Sequence, residues 1–131
     1  MAAYMLDTDT VSFALRGQGR VATRLLAHRP TEICMSSLTL AELRYGADLR
    51  RSRKLNRLID TFADSVAVAD FDRAAAERYG GLGAQLSRRG APIGTIDTLI
   101  AAHALALGLT LVTNNERHFA RVPGLKIETW L

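Results

Sequence analysis

A chain of 131 residues with 48% hydrophobic content has enough apolar material for one buried core, so it reads as a single domain over residues 1–131 and not as a disordered polymer. No apolar run approaches the roughly 20 residues of a membrane helix and no basic-flanked leader opens the chain, which excludes a membrane span and points to the cytoplasm. The net charge of +4 rests on seventeen basic residues, fifteen of them Arg, which suits a polyanionic partner, although a preference for Arg codons produces the same excess.

In chain order, Tyr4 to Leu6 is an apolar run that predicts a strand, and Thr10 to Leu15 and Arg20 to His28 predict helices, the second ended by Pro30. Glu32 to Ser36 predicts a strand holding the one cysteine, Cys34, a small core residue with no partner for a disulfide. Leu38 to Leu49 reads as a helix. Leu55, Leu58, Ile59 and Phe62 recur at i, i+3, i+4 and i+7, an amphipathic helix over Ser52 to Ala63. A short strand over Val66 to Ala69 follows. Asp72 caps a helix reaching about Arg88, with Gly80, Gly81 and Gly83 weakening its middle. Thr95 caps a helix over Ile96 to Leu107 that ends at Gly108, and Leu109 to Thr113 reads as a strand. Pro123-Gly124 is a turn, and Lys126 to Leu131 reads as a last short strand. Strands alternating with helices predict an α/β fold with a mostly parallel sheet, whose ligands sit beyond the carboxyl ends of the strands.

Polar groups cluster at those ends. Asp7 follows the first strand, Ser36 and Ser37 the second, and Thr113-Asn114-Asn115-Glu116 the last long one. Glu42 stands in the helix after the second strand, and Asp97 in the first turn of the helix before Leu109. Carboxylates converging from separate segments are what Mg²⁺ or Mn²⁺ requires. Each also has an ordinary reading: Asp7 as a helix cap, Asp97 as a first-turn acid favoured by the helix dipole, Glu42 as a solvated side chain, Asn114 and Asn115 as turn formers. His103, in an Ala-rich helix, reads as a packed, hydrogen-bonded core histidine. His118 lacks a second His at ligand spacing, and Trp130 reads as core or interface. Asp7-Thr8-Asp9-Thr10 matches the Asp-x-Asp-x-Thr nucleophile motif of haloacid-dehalogenase phosphatases. Those enzymes need a late Lys and an acidic pair; the chain has only Lys54 and Lys126 and no Asp-Asp pair, so the match stands alone.

Four segments, MLDTDTVSFALRG, SSLTLAELRYGA, PIGTIDTLIAAHALALGLTLVTNN and FARVPGLKIETW, occur in an order that resembles the PIN-domain ribonucleases, among them the VapC-type toxins of bacterial toxin–antitoxin pairs. The resemblance spans nearly the whole chain. It implies a three-layer α/β/α fold with a central parallel sheet of four or five strands. It implies a divalent-metal-dependent endoribonuclease cutting tRNA or rRNA, with Mg²⁺ as cofactor and Mn²⁺ as substitute. The implied partners are the RNA substrate, a VapB-type antitoxin and a second copy in a homodimer. Asp7, Glu42 and Asp97 match the family's metal-site carboxylates. The fourth site position falls in Thr113-Asn114-Asn115-Glu116. There Asn115 stands where many relatives have Asp, and His118 where many have an acid before Phe119. Asn115 offers a neutral oxygen, while Glu116 and Asp9 are the other candidates for the missing charge. The departures support a second expectation, a catalytically weak PIN module that binds RNA or antitoxin. Asp9 is expected to cap the first helix beside Thr10, and Arg44, Arg50, Arg51, Arg88, Arg89, Arg117 and Arg121 to supply a basic rim.

Overall fold

Side chains two apart on a strand point the same way, and the apolar runs use this to fill two cores at once. The computed structural model describes residues 2–131. Its strands β1 (Tyr4–Leu6), β2 (Ile33–Ser36), β3 (Ala67–Ala69), β4 (Thr110–Val112) and β5 (Ile127–Glu128) form one sheet, ordered β3-β2-β1-β4-β5, with every neighbouring pair parallel. Parallel neighbours need crossovers. These are α1 (Thr8–Leu15) and α2 (Val21–Leu26), α3 (Ser37–Leu49) and α4 (Arg53–Ser65), α5 (Arg73–Arg88) and α6 (Thr95–Leu107), and the short α7 (Glu116–Phe119).

Met5 lies in register with Cys34 and Leu111, and this row packs on Leu82 and Leu86 of α5 and Ile100 and Ala104 of α6. Leu6 lies in register with Met35 and Val112, and that row packs on Val11 of α1, Leu43 and Ala47 of α3 and Ile59 of α4. The result is the expected three layers with the sheet between them. β1 is central, and its two neighbours are reached by crossovers running in opposite directions along the sheet. The carboxyl ends of β1 and β4 therefore flank the switch point, where open α/β sheets leave a crevice.

The boundaries differ from expectation where a cap or a turn decides. α1 begins at Thr8, not Thr10, because Asp7 is its cap: its Oδ1 accepts from the Thr10 N–H at 2.9 Å. Asp9, expected as that cap, is exposed in the first turn. Glu32 does not join β2; Pro30–Glu32 form one 3₁₀ turn, and the Glu32 carboxylate accepts from the Arg29 N–H at 3.0 Å. α5 runs unbroken through its glycines. Packing against α6 outweighs their propensity, and a Cβ on Gly83 would lie 3.7 Å from the Tyr79 ring. The final strand shrinks to Ile127–Glu128, and Trp130 beyond it is fully buried, stacked on His28 at 4.7 Å between ring centroids.

Candidate active site

Asp7 is the first residue past β1 and belongs to both the sheet and the helix. Its N–H donates to the Val112 carbonyl of β4 at 3.0 Å, and the Thr10 hydroxyl donates to the same carbonyl at 3.0 Å. Those two bonds lock the end of β1 to the end of β4 and aim the Asp7 carboxylate into the crevice. Asp7 is only 5% exposed. Burial, reinforced by the charge of Asp9, pushes its carboxyl up to about 6, against hydrogen bonds from Thr113 and Thr10 that favour the ionised form.

Glu42 projects from the second turn of α3, which is capped by Ser36 at the end of β2. Its Oε1 accepts from the Thr8 hydroxyl at the start of α1. Asp97 lies in the first turn of α6, half-buried, and burial raises its carboxyl above the ordinary carboxylate range. A hydrogen bond and the charge of His118 oppose that rise, and Asp9 adds to it. His118 Nδ1 stands 3.5 Å from Asp97 Oδ2.

Asp7, Thr8, Asp9, Glu42, Asp97, Asn115 and Phe119 together line one small, mostly polar cavity of about 90 Å³. Four segments distant in sequence thus meet at the carboxyl ends of β1 and β4, and Asp7, Glu42, Asp97 and Asn115 border the same space. Asn115 follows β4, where the Thr113 hydroxyl accepts from its backbone N–H at 2.9 Å; its side chain makes no capping bond and borders the cavity. Glu116 is exposed and outside the lining, whereas Asn115 and Asp9 both border the cavity. Among the described residues no three His, Cys, Asp or Glu side chains stand close enough together to hold one metal ion between them; the carboxylates border a shared space instead.

Sequence reasoning missed three supporting groups: Thr8 on Glu42, Thr113 on Asp7 and His118 on Asp97. Thr8 and Thr113 each lie inside a singled-out segment, and hydroxyls beside strand ends were the available signal. His103 behaves as expected, 1% exposed with Nδ1 2.9 Å from the Ser36 hydroxyl, and burial lowers its pKa. Of the expected basic rim, Arg44 is committed elsewhere, to Asn56 and to Asp60 at 2.5 Å. Arg121 donates to the Pro92 carbonyl, and Arg88 lines a separate hollow on α5.

The description "PIN domain" belongs to the family model that matches residues 4–125. The chain is similar to a tRNA(fMet)-specific endonuclease VapC of Salmonella typhimurium, 38% identical over 131 residues and 99% of each chain. It is also similar to a ribonuclease VapC2 of Haemophilus influenzae, 36% identical over 132 residues and the full length of both. Among solved structures, DNA-bound VapBC from Salmonella typhimurium superposes with a TM-score of 0.90 at 38% identity, covering both chains completely.

Proposed function

This chain belongs to the PIN-domain family, in its VapC branch, and on that premise we propose that it is a divalent-metal-dependent endoribonuclease, the toxin of a toxin–antitoxin pair. The observation that carries the proposal is the cavity that gathers Asp7, Asp9, Glu42 and Asp97 at the switch point of the sheet. The donor set fits Mg²⁺ or Mn²⁺: all are hard oxygens, and the raised carboxyls of Asp7 and Asp97 mark charge that burial disfavours and a cation relieves. A bound divalent ion would neutralise charge on the phosphodiester and activate water for hydrolysis.

The chain's own residues preorganise that ion's surroundings. Thr10 and Thr113 orient the Asp7 carboxylate. Thr8 holds one oxygen of Glu42 and His118 faces one oxygen of Asp97, and the other oxygen of each has no protein partner among the described residues. Such outer hydrogen bonds fix ligand orientation. Asn115 adds a neutral amide at the wall, able to hydrogen-bond a phosphate oxygen or a water without adding repulsion. The four carboxylates repel RNA until the ion reverses the local sign, so cation and substrate bind interdependently.

A named relative is specific for tRNA(fMet), and the superposed structure is a VapBC complex. We assign this chain an RNA substrate of the tRNA or rRNA class, a VapB-type antitoxin, and a homodimeric state within that complex, acting in the cytoplasm. No helix among the described residues is long and apolar enough to cross a membrane.

One observation favours a second reading: Asn115 and His118 bring an amide and an imidazole to this end of the site, and the one carboxylate of α7, Glu116, lies outside the cavity lining. A catalytically weak RNA- or antitoxin-binding module follows from that. Incubating the purified chain with total RNA, with Mg²⁺ and with EDTA, separates the readings. Cleavage that EDTA abolishes and Mg²⁺ restores supports the endonuclease; retained RNA binding with no cleavage in Mg²⁺ or Mn²⁺ supports the second.

A further inference from the structure

Beside the carboxylate cavity lies a larger cleft of about 220 Å³, and the two share Thr8 and Glu42. Its walls repeat one pattern on two helices. α1 contributes Thr8, Ser12 and Arg16 and α3 contributes Glu42, Gly46 and Arg50, together with the apolar Leu15, Leu43 and Leu55, which make the cleft mostly apolar between its charged ends. Both sets recur at i, i+4 and i+8, so each runs as one stripe down its helix. The stripes begin together at the Thr8–Glu42 hydrogen bond and end at Arg16 and Arg50, the residues that close α1 and α3. Eight residues of helix rise about 12 Å, so the Arg16 and Arg50 backbones stand about that far along their helices from Thr8 and Glu42, and both side chains line the cleft.

Both arginines are exposed, and neither belongs to an ion pair among the described residues; those pairs use Arg44, Arg73 and His118. The Arg16 side chain is steadied, its Nε donating to the Ser12 carbonyl at 3.3 Å and its guanidinium 5.2 Å from the Phe13 ring centre. A Cβ on Gly46 would meet nothing within 4 Å, so the wall is open where a chain would pass. Charge is thus graded along one continuous channel, acidic where an ion is to bind and cationic where it is not.

Resting on the endoribonuclease reading, we propose that Arg16 and Arg50 form a phosphate clamp that holds the RNA backbone beside the scissile bond, with this cleft as the path of the strand. Arg forks match phosphate oxygens bidentately, and a strand crossing from the clamp to the cavity passes no other unpaired charge than Glu42. The clamp reads the backbone and carries no base specificity.

The test is binding of a fluorescent, non-cleavable 2′-O-methyl 12-nucleotide single-stranded RNA to the full chain at constant Mg²⁺, followed across monovalent salt concentration. Each phosphate contact contributes about 0.7 to the slope of log affinity on log salt. Arg16→Gln and Arg50→Gln are each expected to flatten the slope by about 0.7, the double variant by about 1.4, while the Arg→Lys variants and Arg73→Gln on α5 keep it. Circular-dichroism melts check that the variants fold, which their exposed positions favour. Unchanged slopes in both Gln variants overturn the clamp, and if the wild type cleaves RNA with Mg²⁺ the proposed function survives that result. A flattened slope with no cleavage by the wild type supports the clamp and overturns the nuclease. Unchanged slopes with weakened binding of a co-purified partner protein assign the cleft to a polypeptide and overturn the clamp.

Discussion

Replacing Asp7 by Asn should stabilise the metal-free protein while removing its activity. In the folded chain the Asp7 carboxyl rises from 3.8 to about 6 because it is buried beside Asp9. A carboxyl with a raised folded-state pKa favours the fold when protonated. Its favourable contribution is fully present below the ordinary carboxylate range and is lost as pH rises through about 6. The shift corresponds to roughly 3 kcal/mol of destabilisation above that pH. Asn removes the charge and keeps an oxygen to accept from the Thr10 N–H. The Thr113 hydroxyl, which now donates to the carboxylate, must turn to accept from the new amide, at a cost of about 1 kcal/mol. A net gain of about 1–2 kcal/mol at pH 8 in EDTA remains, or a melting rise of roughly 3–10 °C for a domain of this size. At pH 5, where the folded Asp7 is mostly protonated, about 1.4 kcal/mol of the charge cost is already relieved, so the net advantage falls below about 1 kcal/mol. Mg²⁺ should raise the melting temperature of the wild type at pH 8 and leave the variant unmoved, since only a chain that binds the ion gains from it. Calorimetry at both pH values, with and without Mg²⁺, reads all of this. A variant that melts lower than the wild type in EDTA at pH 8, or the same Mg²⁺ shift in both, would show that Asp7 is an ordinary helix cap.

Asp97→Asn should reduce cleavage by at least ~10²-fold at limiting Mg²⁺ while leaving the metal-free melt equal or higher; normal cleavage there would remove Asp97 from the site. Trp130→Ala should cost roughly 3–5 kcal/mol in urea unfolding, because the ring is fully buried between Tyr4 and His28. A cost below about 1 kcal/mol would mean that the chain's end is not anchored there. Asp9→Asn should keep most cleavage activity, because Asp9 is exposed and neither caps α1 nor receives a hydrogen bond. It should also lower the apparent pKa of Asp7, by removing the neighbouring charge. An Asp9→Asn chain as inactive as Asp7→Asn would reopen the aspartyl-phosphate reading of Asp-x-Asp-x-Thr.

Much of this fold was legible because the central strands are buried on both faces. Tyr4 to Leu6, Ile33 to Ser36 and Thr110 to Val112 need no alternation, and their apolar runs between helices announce a parallel sheet. The amphipathic spacing of Leu55, Ile59 and Phe62 located α4 for the same reason, one stripe against one core. The failures share a different cause. α7 is four residues, Glu-Arg-His-Phe, of which only Phe119 is buried, too short to show a period. Glu32 looked like strand because its neighbours are apolar; a single hydrogen bond back to Arg29 decided otherwise. At the site, the acids were legible by type and by their place after strands, and the family resemblance assigned them. The groups that aim them were not. Thr8 meets Glu42 across 34 positions and His118 meets Asp97 across 21, and nothing local in a sequence marks such pairings.

Asp7 shows why the ordinary and the functional reading of one residue need not compete. Its Oδ1 caps α1 through the Thr10 N–H, and its backbone N–H binds Val112, so the same residue ends a strand, starts a helix and joins β1 to β4. Capping alone is served as well by Ser, Thr or Asn, none of which brings a charge. A buried carboxylate with a second acid beside it is the costlier choice for folding, by the margin that the Asp7→Asn comparison measures. A cap serving stability alone has no use for that charge. Its presence, with Glu42 and Asp97 lining the same 90 Å³ cavity, is what an ion-binding role requires and a capping role does not.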